Sequence, residues 1–114
     1  KTLLNTVRNI QLIQIDDGEI WYKGIIFNLD SMNLNDYLER FNKIVIDINI
    51  DGLPISKSSS SKFWPILGRL VWSKNEPFII SIYKGNKDPN IQDFLHSFVR
   101  EIEYLQENGY IRNG

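Results

Sequence analysis

The sequence predicts an α+β domain in which a three-stranded antiparallel meander packs against a long helix. The first observation is strict alternation over residues 44–51, where isoleucine occupies every second position. The second is the apolar, β-branched segment 78–83, and the third is an apolar stripe at helical spacing over residues 90–108. Short polar turns separate the strand-like segments, which favours antiparallel pairing.

The length and composition of the chain limit the number of domains and the kinds of site that it can form. The 114 residues suffice for one domain, spanning 1–114, which would bury about two-thirds of its unfolded surface. No apolar run approaches the ~20 residues that a membrane-spanning helix needs. The chain has no cysteine and one histidine, which excludes disulfides, thiolate metal sites and histidine clusters and is compatible with an intracellular location, nuclear or cytoplasmic.

Charge and the first residue also bear on function. The net charge of -1 provides no overall basic field that would draw the chain to nucleic acid. The chain begins with lysine and shows no signal-peptide pattern, so we expect a fragment of a longer protein.

The first predicted element is a β-hairpin. Residues 9–15 and 19–26 are rich in Ile, Leu, Trp and Tyr, and Asp16, Asp17 and Gly18 between them favour a tight turn. Acidic residues beside a glycine are typical turn formers, although carboxylates in such a turn could also bind a metal ion.

A short helix should follow the hairpin. Asn33 or Asn35 can cap it. Four apolar residues recur at helical spacing and should face inward: Leu34, Tyr37, Leu38 and Phe41.

The strand over residues 44–51 has one apolar face and one carboxylate-bearing face. The second face carries Asp47 and, at its end, Asp51. A strand that ends in Asp51-Gly52 can hold a carboxylate at the rim of a sheet, within reach of a metal ion. Asp-Gly is also a common hairpin turn signal, so the pattern alone favours a purely structural role over a metal-binding one.

A serine-rich loop leads to the second strand of the meander, predicted over residues 63–72. Pro65 is tolerated near the start of a strand if its missing N–H faces outward. Lys57 and Lys62 flank the serines at 58–61 and could contact a phosphate backbone, but a solvated connection is the favoured interpretation.

The clearest helix covers residues 90–108. Asn90 can cap its start, Asp93 lies in its first turn, and Gly109 follows its last turn. The predicted inward stripe consists of Ile91, Phe94, Leu95, Phe98, Val99, Ile102 and Leu105.

Polar residues of this helix are interpreted as surface residues. His96 lies off the stripe and should be exposed or partly packed. Glu101, Glu103 and Glu107 are interpreted as a solvated acidic face. After the helix, residues 110–112 read as the beginning of another strand.

Several motifs in this order resemble the transposase domain of CACTA (En/Spm-type) DNA transposons. In that family a strand ends in Asp-Gly-Leu/Phe-x-Pro, a serine-rich turn follows, and an aromatic-Trp-Pro motif begins the next strand. The corresponding residues here are Asp51, Gly52, Leu53, Pro54, the serines at 58–61, Phe63, Trp64 and Pro65. The resemblance extends upstream through LLNTVRNIQLI and EIWYKGI, so it covers nearly the whole chain.

The resemblance implies the N-terminal part of a DDE-type, RNase H-like catalytic domain. Residues 1–30 would form an N-terminal hairpin segment and residues 43–112 a partial RNase H-like core. Asp51 would be the first catalytic acid and a metal ligand, and Asp47, about 13 Å back along the strand, an alternative metal ligand. The intact family uses Mg²⁺ or Mn²⁺ to cleave and join DNA at transposon ends, and self-association into a homo-oligomer is also expected.

The chain departs from the family where it ends. The second catalytic aspartate of the family lies on the strand after the long helix and the last acid much further along, and Gly114 precedes both. We therefore expect an incomplete site that does not cleave DNA alone and that need not bind a metal. Two alternatives stay open: a non-catalytic module that binds a protein or nucleic acid, and a nuclease in which a dimer combines Asp47 and Asp51 from two chains.

Overall fold

The computed structural model of the chain describes residues 10–16, 18–50, 52–54, 61–74 and 76–110, and these residues form an α+β fold. Its strands are β1 (Gln11–Ile15), β2 (Gly18–Tyr22), β3 (Ile46–Ile50), β4 (Leu53–Pro54), β5 (Lys62–Leu70) and β6 (Phe78–Gly85). Its helices are α1 (Ile25–Asp30), α2 (Asn35–Phe41) and α3 (Ile91–Asn108). Among these described helices, none is both long and apolar enough to span a membrane.

All strands belong to one antiparallel sheet with the order β1-β2-β6-β5-β3, and β4 pairs with β5 beyond the end of β3. The predicted meander is therefore confirmed as β3, β5 and β6. β5 ends at Leu70, two residues earlier than predicted, because Trp72 adopts a left-handed conformation with φ of 65°.

The N-terminal hairpin is confirmed, but its second strand is shorter than predicted. β2 ends at Tyr22, and residues 25–30 form helix α1 instead of continuing the strand to residue 26. Gly24 makes the change of direction possible, because its φ of 89° is accessible to glycine and strained for other residues. The hairpin joins the meander through β2, since Gly18 lies opposite Gly85 of β6.

Helix α2 forms where it was predicted. Leu34 is fully buried, Tyr37 is nearly so, and Leu38 packs against the core as a half-buried residue. The Asn33 side chain accepts a hydrogen bond from the Asn35 N–H at 3.2 Å, but the N-cap residue is Leu34 and no side chain caps the helix. The prediction that Asn33 or Asn35 caps this helix is therefore wrong.

The core lies between the helices and one face of the sheet. The sheet contributes fully or almost fully buried residues from β2, β5 and β6: Ile20, Tyr22, Ile66, Leu70, Ile80 and Tyr83. A β-bulge enlarges this face, because Ile66 lies opposite Ser81 while Leu67 lies opposite Ile79, which leaves Ile80 as an extra residue.

The opposite side of the sheet, which we name the open face, carries no helix within the described part of the chain. Strand alternation places Leu12, Trp21, Leu67, Ile79 and Ile82 on it. Leu12, Trp21 and Ile79 are each close to half exposed.

Helix α3 begins and ends where the sequence predicts. The Asn90 side chain accepts a hydrogen bond from the Asp93 N–H at 3.0 Å, and the Gly109 N–H donates to the Leu105 carbonyl at 2.7 Å. His96 is exposed, as predicted.

The buried face of α3 is rotated relative to the predicted stripe. Phe94 is buried, with edge-on ring contacts to Trp64 and Tyr83 at centroid distances of 5.9 and 6.3 Å. Ile91 and Val99, which the stripe places inward, are 52% and 45% exposed. These two predictions are wrong because the sheet meets the helix along a narrower face than the full apolar stripe.

Candidate functional site

The carboxylate-bearing side of β3 is the site that the sequence predicts. Asp47 lies on it as an exposed residue, opposite Arg69 of β5. The Arg69 Nη2 donates a hydrogen bond to the Asp47 Oδ2 at 3.0 Å. Because both side chains are largely in water, this ion pair contributes little to stability, on the order of 0–1 kcal/mol.

Asp51 lies outside the described residues, one position beyond the end of β3. Its neighbour Gly52 is described and lies against the Trp64 ring, so that a Cβ at position 52 would come within 2.8 Å of a ring carbon. β4 then pairs with β5, Leu53 opposite Phe63. Gly52 and Leu53 of the first motif are therefore adjacent in space to Phe63 and Trp64 of the second.

Other candidate contact residues are only partly described. Asp16 is exposed in the hairpin turn, whereas Asp17 and the loop residues 55–60 lie outside the described residues. Over the described ranges, no group of three or more His, Asp or Glu side chains is arranged to hold a metal ion.

Glu101 of α3 is a buried acid that lies away from the carboxylate-bearing face of β3. Glu101 was expected on a solvated face, with Glu103 and Glu107, which are indeed exposed. Glu101 itself has 0% of its surface exposed. The helical spacing of residues 94, 98, 101 and 105 indicates that Glu101 is buried, because this spacing aligns Glu101 with Phe94 on one face of the helix.

Three donors from the N-terminal part of the chain bind the Glu101 carboxylate, and we name this arrangement the Glu101 clamp. The Tyr22 hydroxyl donates to Oε1 at 2.5 Å. The backbone N–H of Ile25 donates to Oε1 at 2.7 Å, and that of Ile26 to Oε2 at 2.9 Å. Two of the otherwise unpaired N–H groups at the start of α1 are thereby satisfied by a residue of α3.

The electrostatics of the clamp follow from its burial. Removal from water raises the pKa of Glu101, and the three hydrogen bonds oppose this effect without cancelling it. Burial and the adjacent carboxylate also raise the pKa of Tyr22, so the hydroxyl keeps its proton and acts as a donor. Since the carboxylate is closed off from solvent and accepts hydrogen bonds from Tyr22, Ile25 and Ile26, we assign it a structural role.

We expect the raised pKa of Glu101 to make part of the stability depend on pH. At pH values between 4.5, the ordinary pKa of glutamate, and the higher pKa of Glu101 in the folded protein, the Glu101 carboxyl is deprotonated in the unfolded chain but protonated in the folded chain. The contribution of this proton to the free energy of unfolding is fully present below pH 4.5, and it decreases as the pH rises through the raised pKa of Glu101.

Urea unfolding at a series of pH values, with Glu101→Gln as the reference that cannot titrate, measures this dependence. The difference in unfolding free energy, wild type minus variant, should decrease as the pH rises above 4.5. A difference that stays constant or grows with pH would show that the pKa is not raised.

Gly24→Ala should destabilise the fold by about 1–3 kcal/mol from backbone strain alone, and by more because of contact with the clamp. A Cβ at Gly24 would lie 3.0 Å from the Glu101 Oε1 and 3.2 Å from the Tyr22 Cε2. Gly109→Ala is the matched control, since Gly109 also has a positive φ, 72°, but no atom within 4 Å of the added Cβ. Equal losses of unfolding free energy in the two variants would contradict the close contact.

An apolar groove of about 500 Å³ lies on the helix side of β3. It is lined by residues from all three helices and from the start of β3, including Ile25, Leu38, Ile46, Ile48 and Ile102. Ile48 and Ile50 remain 38% and 40% exposed beside it. The helices therefore cover β3 less completely than they cover β5 and β6.

Comparison with known proteins identifies no relative: no family model, no curated protein and no solved structure matches this chain.

Proposed function

We propose that this chain is part of a DDE-type DNA transposase domain of the CACTA class, whose intact form cleaves and joins DNA at transposon ends in the nucleus. The observation that carries the proposal is the two-sided strand β3. Its isoleucines face the helices, its outward face carries Asp47, and it ends one residue before Asp51. Such a strand can present carboxylates at an accessible rim while its other side belongs to the core.

The order of elements supports an RNase H-like core as part of the proposal. β3, β5 and β6 form a meander, and α3 follows and packs on one side of it through Phe94. The motif residues Gly52 and Trp64 lie in contact, which gives a physical reason for a glycine and an aromatic residue at these two positions.

The described residues do not by themselves fit a Mg²⁺ or Mn²⁺ site. Divalent cations of this class bind through several oxygen ligands, and Asp47 is a single exposed carboxylate already bonded to Arg69. We therefore propose that strand cleavage belongs to a longer protein, and that this polypeptide alone does not cut DNA.

A plasmid-nicking assay with Mg²⁺ or Mn²⁺ tests the inactivity of the chain. We expect no conversion of supercoiled to open-circular DNA beyond that in a metal-only control. Nicking that is lost in Asp51→Ala and kept in Asp16→Ala, an exposed acid of the hairpin turn, would overturn the inactivity. It would also favour a nuclease assembled from two chains.

Metal titration followed by two-dimensional NMR of the backbone amides tests the role of Asp51. Shifts confined to Asn49, Gly52 and their neighbours in the sheet, and absent in Asp51→Ala, support a partial metal site. The absence of such shifts at millimolar Mg²⁺ and Mn²⁺ would remove Asp51 as a metal ligand of this chain.

A second candidate function is a non-catalytic module that binds a protein or nucleic acid. The observation that favours it is the open face, where Leu12, Trp21 and Ile79 expose 50%, 49% and 43% of their surfaces. Several large apolar side chains on one sheet face are typical of a contact surface. Binding that is lost in Trp21→Ala but unchanged in Asp51→Ala would favour this candidate over the transposase proposal.

A further inference from the structure

We propose that two copies of this chain associate through the outer edge of β3, by antiparallel pairing about a two-fold axis at Ile48. The inference goes beyond the proposed function and does not rest on it. β3 pairs with β5 on one side, and within the described residues no strand lies along its other side.

The hydrogen-bond pattern of the ladder determines which backbone groups of β3 point away from β5. The Val71 N–H donates to the Val45 carbonyl at 2.9 Å, so this pair is a hydrogen-bonded pair of the antiparallel ladder. Hydrogen-bonded pairs alternate along a strand, which directs the backbone groups of Asp47 and Asn49 towards β5. The N–H and carbonyl groups of Ile46, Ile48 and Ile50 therefore point away from β5.

This edge lacks the features that usually prevent strand addition. Natural edge strands are protected by lysine, proline, a bulge or a covering element. Residues 46–50 contain neither lysine nor proline, and the ladder with β5 runs without a register shift. The one charge, on Asp47, is paired with Arg69 on the outward face.

The strand sequence is complementary to itself. Antiparallel pairing centred on Ile48 places Ile46 opposite Ile50 of the second copy, and Asp47 opposite Asn49 of the second copy. Isoleucine then meets isoleucine on the helix side, and each carboxylate lies opposite an amide that can donate a hydrogen bond. The two aspartates are not opposite one another, so direct like-charge repulsion is avoided.

The groove provides the apolar contact for this pairing. The half-exposed Ile48 lines the groove together with Ile46. A two-fold axis perpendicular to the sheet puts the helices of both copies on the same side. The two grooves thus face each other across the joined strands. The net charge of -1 per chain opposes association only weakly.

Sedimentation equilibrium and light scattering over the micromolar range test the association. We expect wild type to reach twice the 13.4 kDa mass of one chain with rising concentration. Ile48→Lys and Ile48→Glu should each be monomeric, because like charges meet at the axis, and an equimolar mixture of the two should form a dimer again. Ile79→Lys on the open face, a site of similar exposure, is the control and should remain dimeric.

Amide hydrogen exchange of wild type provides a test without substitution. The amides of Ile46, Ile48 and Ile50 should become protected as the concentration rises, while those of β1 stay unchanged. Several results would overturn the proposal: a monomer at every concentration, a dimer insensitive to Ile48→Lys, mixed variants that stay monomeric, or protection independent of concentration. The last result would mean that another segment of the same chain covers this edge.

Discussion

Replacing Glu101 with alanine should lower the free energy of unfolding by roughly 3–5 kcal/mol, the largest effect that we expect from a polar substitution. The loss has two parts. The Tyr22 hydroxyl and the N–H groups of Ile25 and Ile26 lose their acceptor inside the protein. In addition, the smaller side chain leaves a cavity at a position with no solvent exposure. Urea unfolding monitored by circular dichroism measures the change.

Two further variants distinguish the loss of stability caused by breaking the Glu101 clamp from a loss caused by any substitution in α3. Glu101→Gln keeps the shape and one acceptor oxygen, so a smaller loss of about 1–2 kcal/mol is expected. Glu103→Ala removes an exposed acid two residues along the same helix and should change the stability by less than about 0.5 kcal/mol. A loss in Glu101→Ala no larger than in Glu103→Ala would show that the clamp does not hold the fold together.

Phe94→Ala should cost about 3–5 kcal/mol, because this ring fastens α3 to the sheet. Phe94 is 2% exposed and contacts the rings of Trp64 and Tyr83 edge-on. Its truncation removes those ring contacts and leaves a cavity between helix and sheet. The same unfolding measurement, made on the purified variant, gives the change in free energy.

Ile91→Ala and Val99→Ala are the controls for this prediction. Both residues belong to the apolar stripe of the sequence, but the structure leaves about half of each side chain in water. Their truncation should cost less than about 1 kcal/mol each. Losses comparable to that of Phe94→Ala would mean that the sequence stripe, and not the rotated face, is the buried side of the helix.

Local signals predicted the elements whose ends are fixed by neighbouring residues. Helix α3 has Asn90 before it and Gly109 after it, and both act within one turn of the helix. The hairpin and the meander are set by alternation and by short turns, which are equally local. The sequence was therefore sufficient for these parts of the α+β fold.

Helix α1 could not be predicted in the same way. Residues 19–26 read as one apolar strand, and no polar side chain in that segment caps a helix start. The cap comes from Glu101, 76 residues from Ile25, so the segment becomes helical through a distant contact. Glu101 was misassigned for the complementary reason: nothing near it in the sequence indicates that donors will surround its carboxylate.

The sequence predicts which residues belong to the candidate site, but it does not predict their distances and partners. Alternation correctly placed Asp47 on the outward face of β3, because side-chain direction along a strand is a local property. The ion pair with Arg69 depends on the register between β3 and β5, which alternation does not specify. Asp51, outside the described residues, remains a prediction.

The position of the N-terminal hairpin in the sheet has a consequence for the synthesis of the chain. β2 pairs with β6, so Tyr22 and Gly85 belong to strands that are neighbours in the sheet but distant along the chain. At a typical elongation rate of 5–20 residues per second, the ribosome needs roughly 3–13 seconds to proceed from one to the other. Throughout this interval, the newly made hairpin has no β6 to pair with, and the start of α1 waits longer still for Glu101 to emerge.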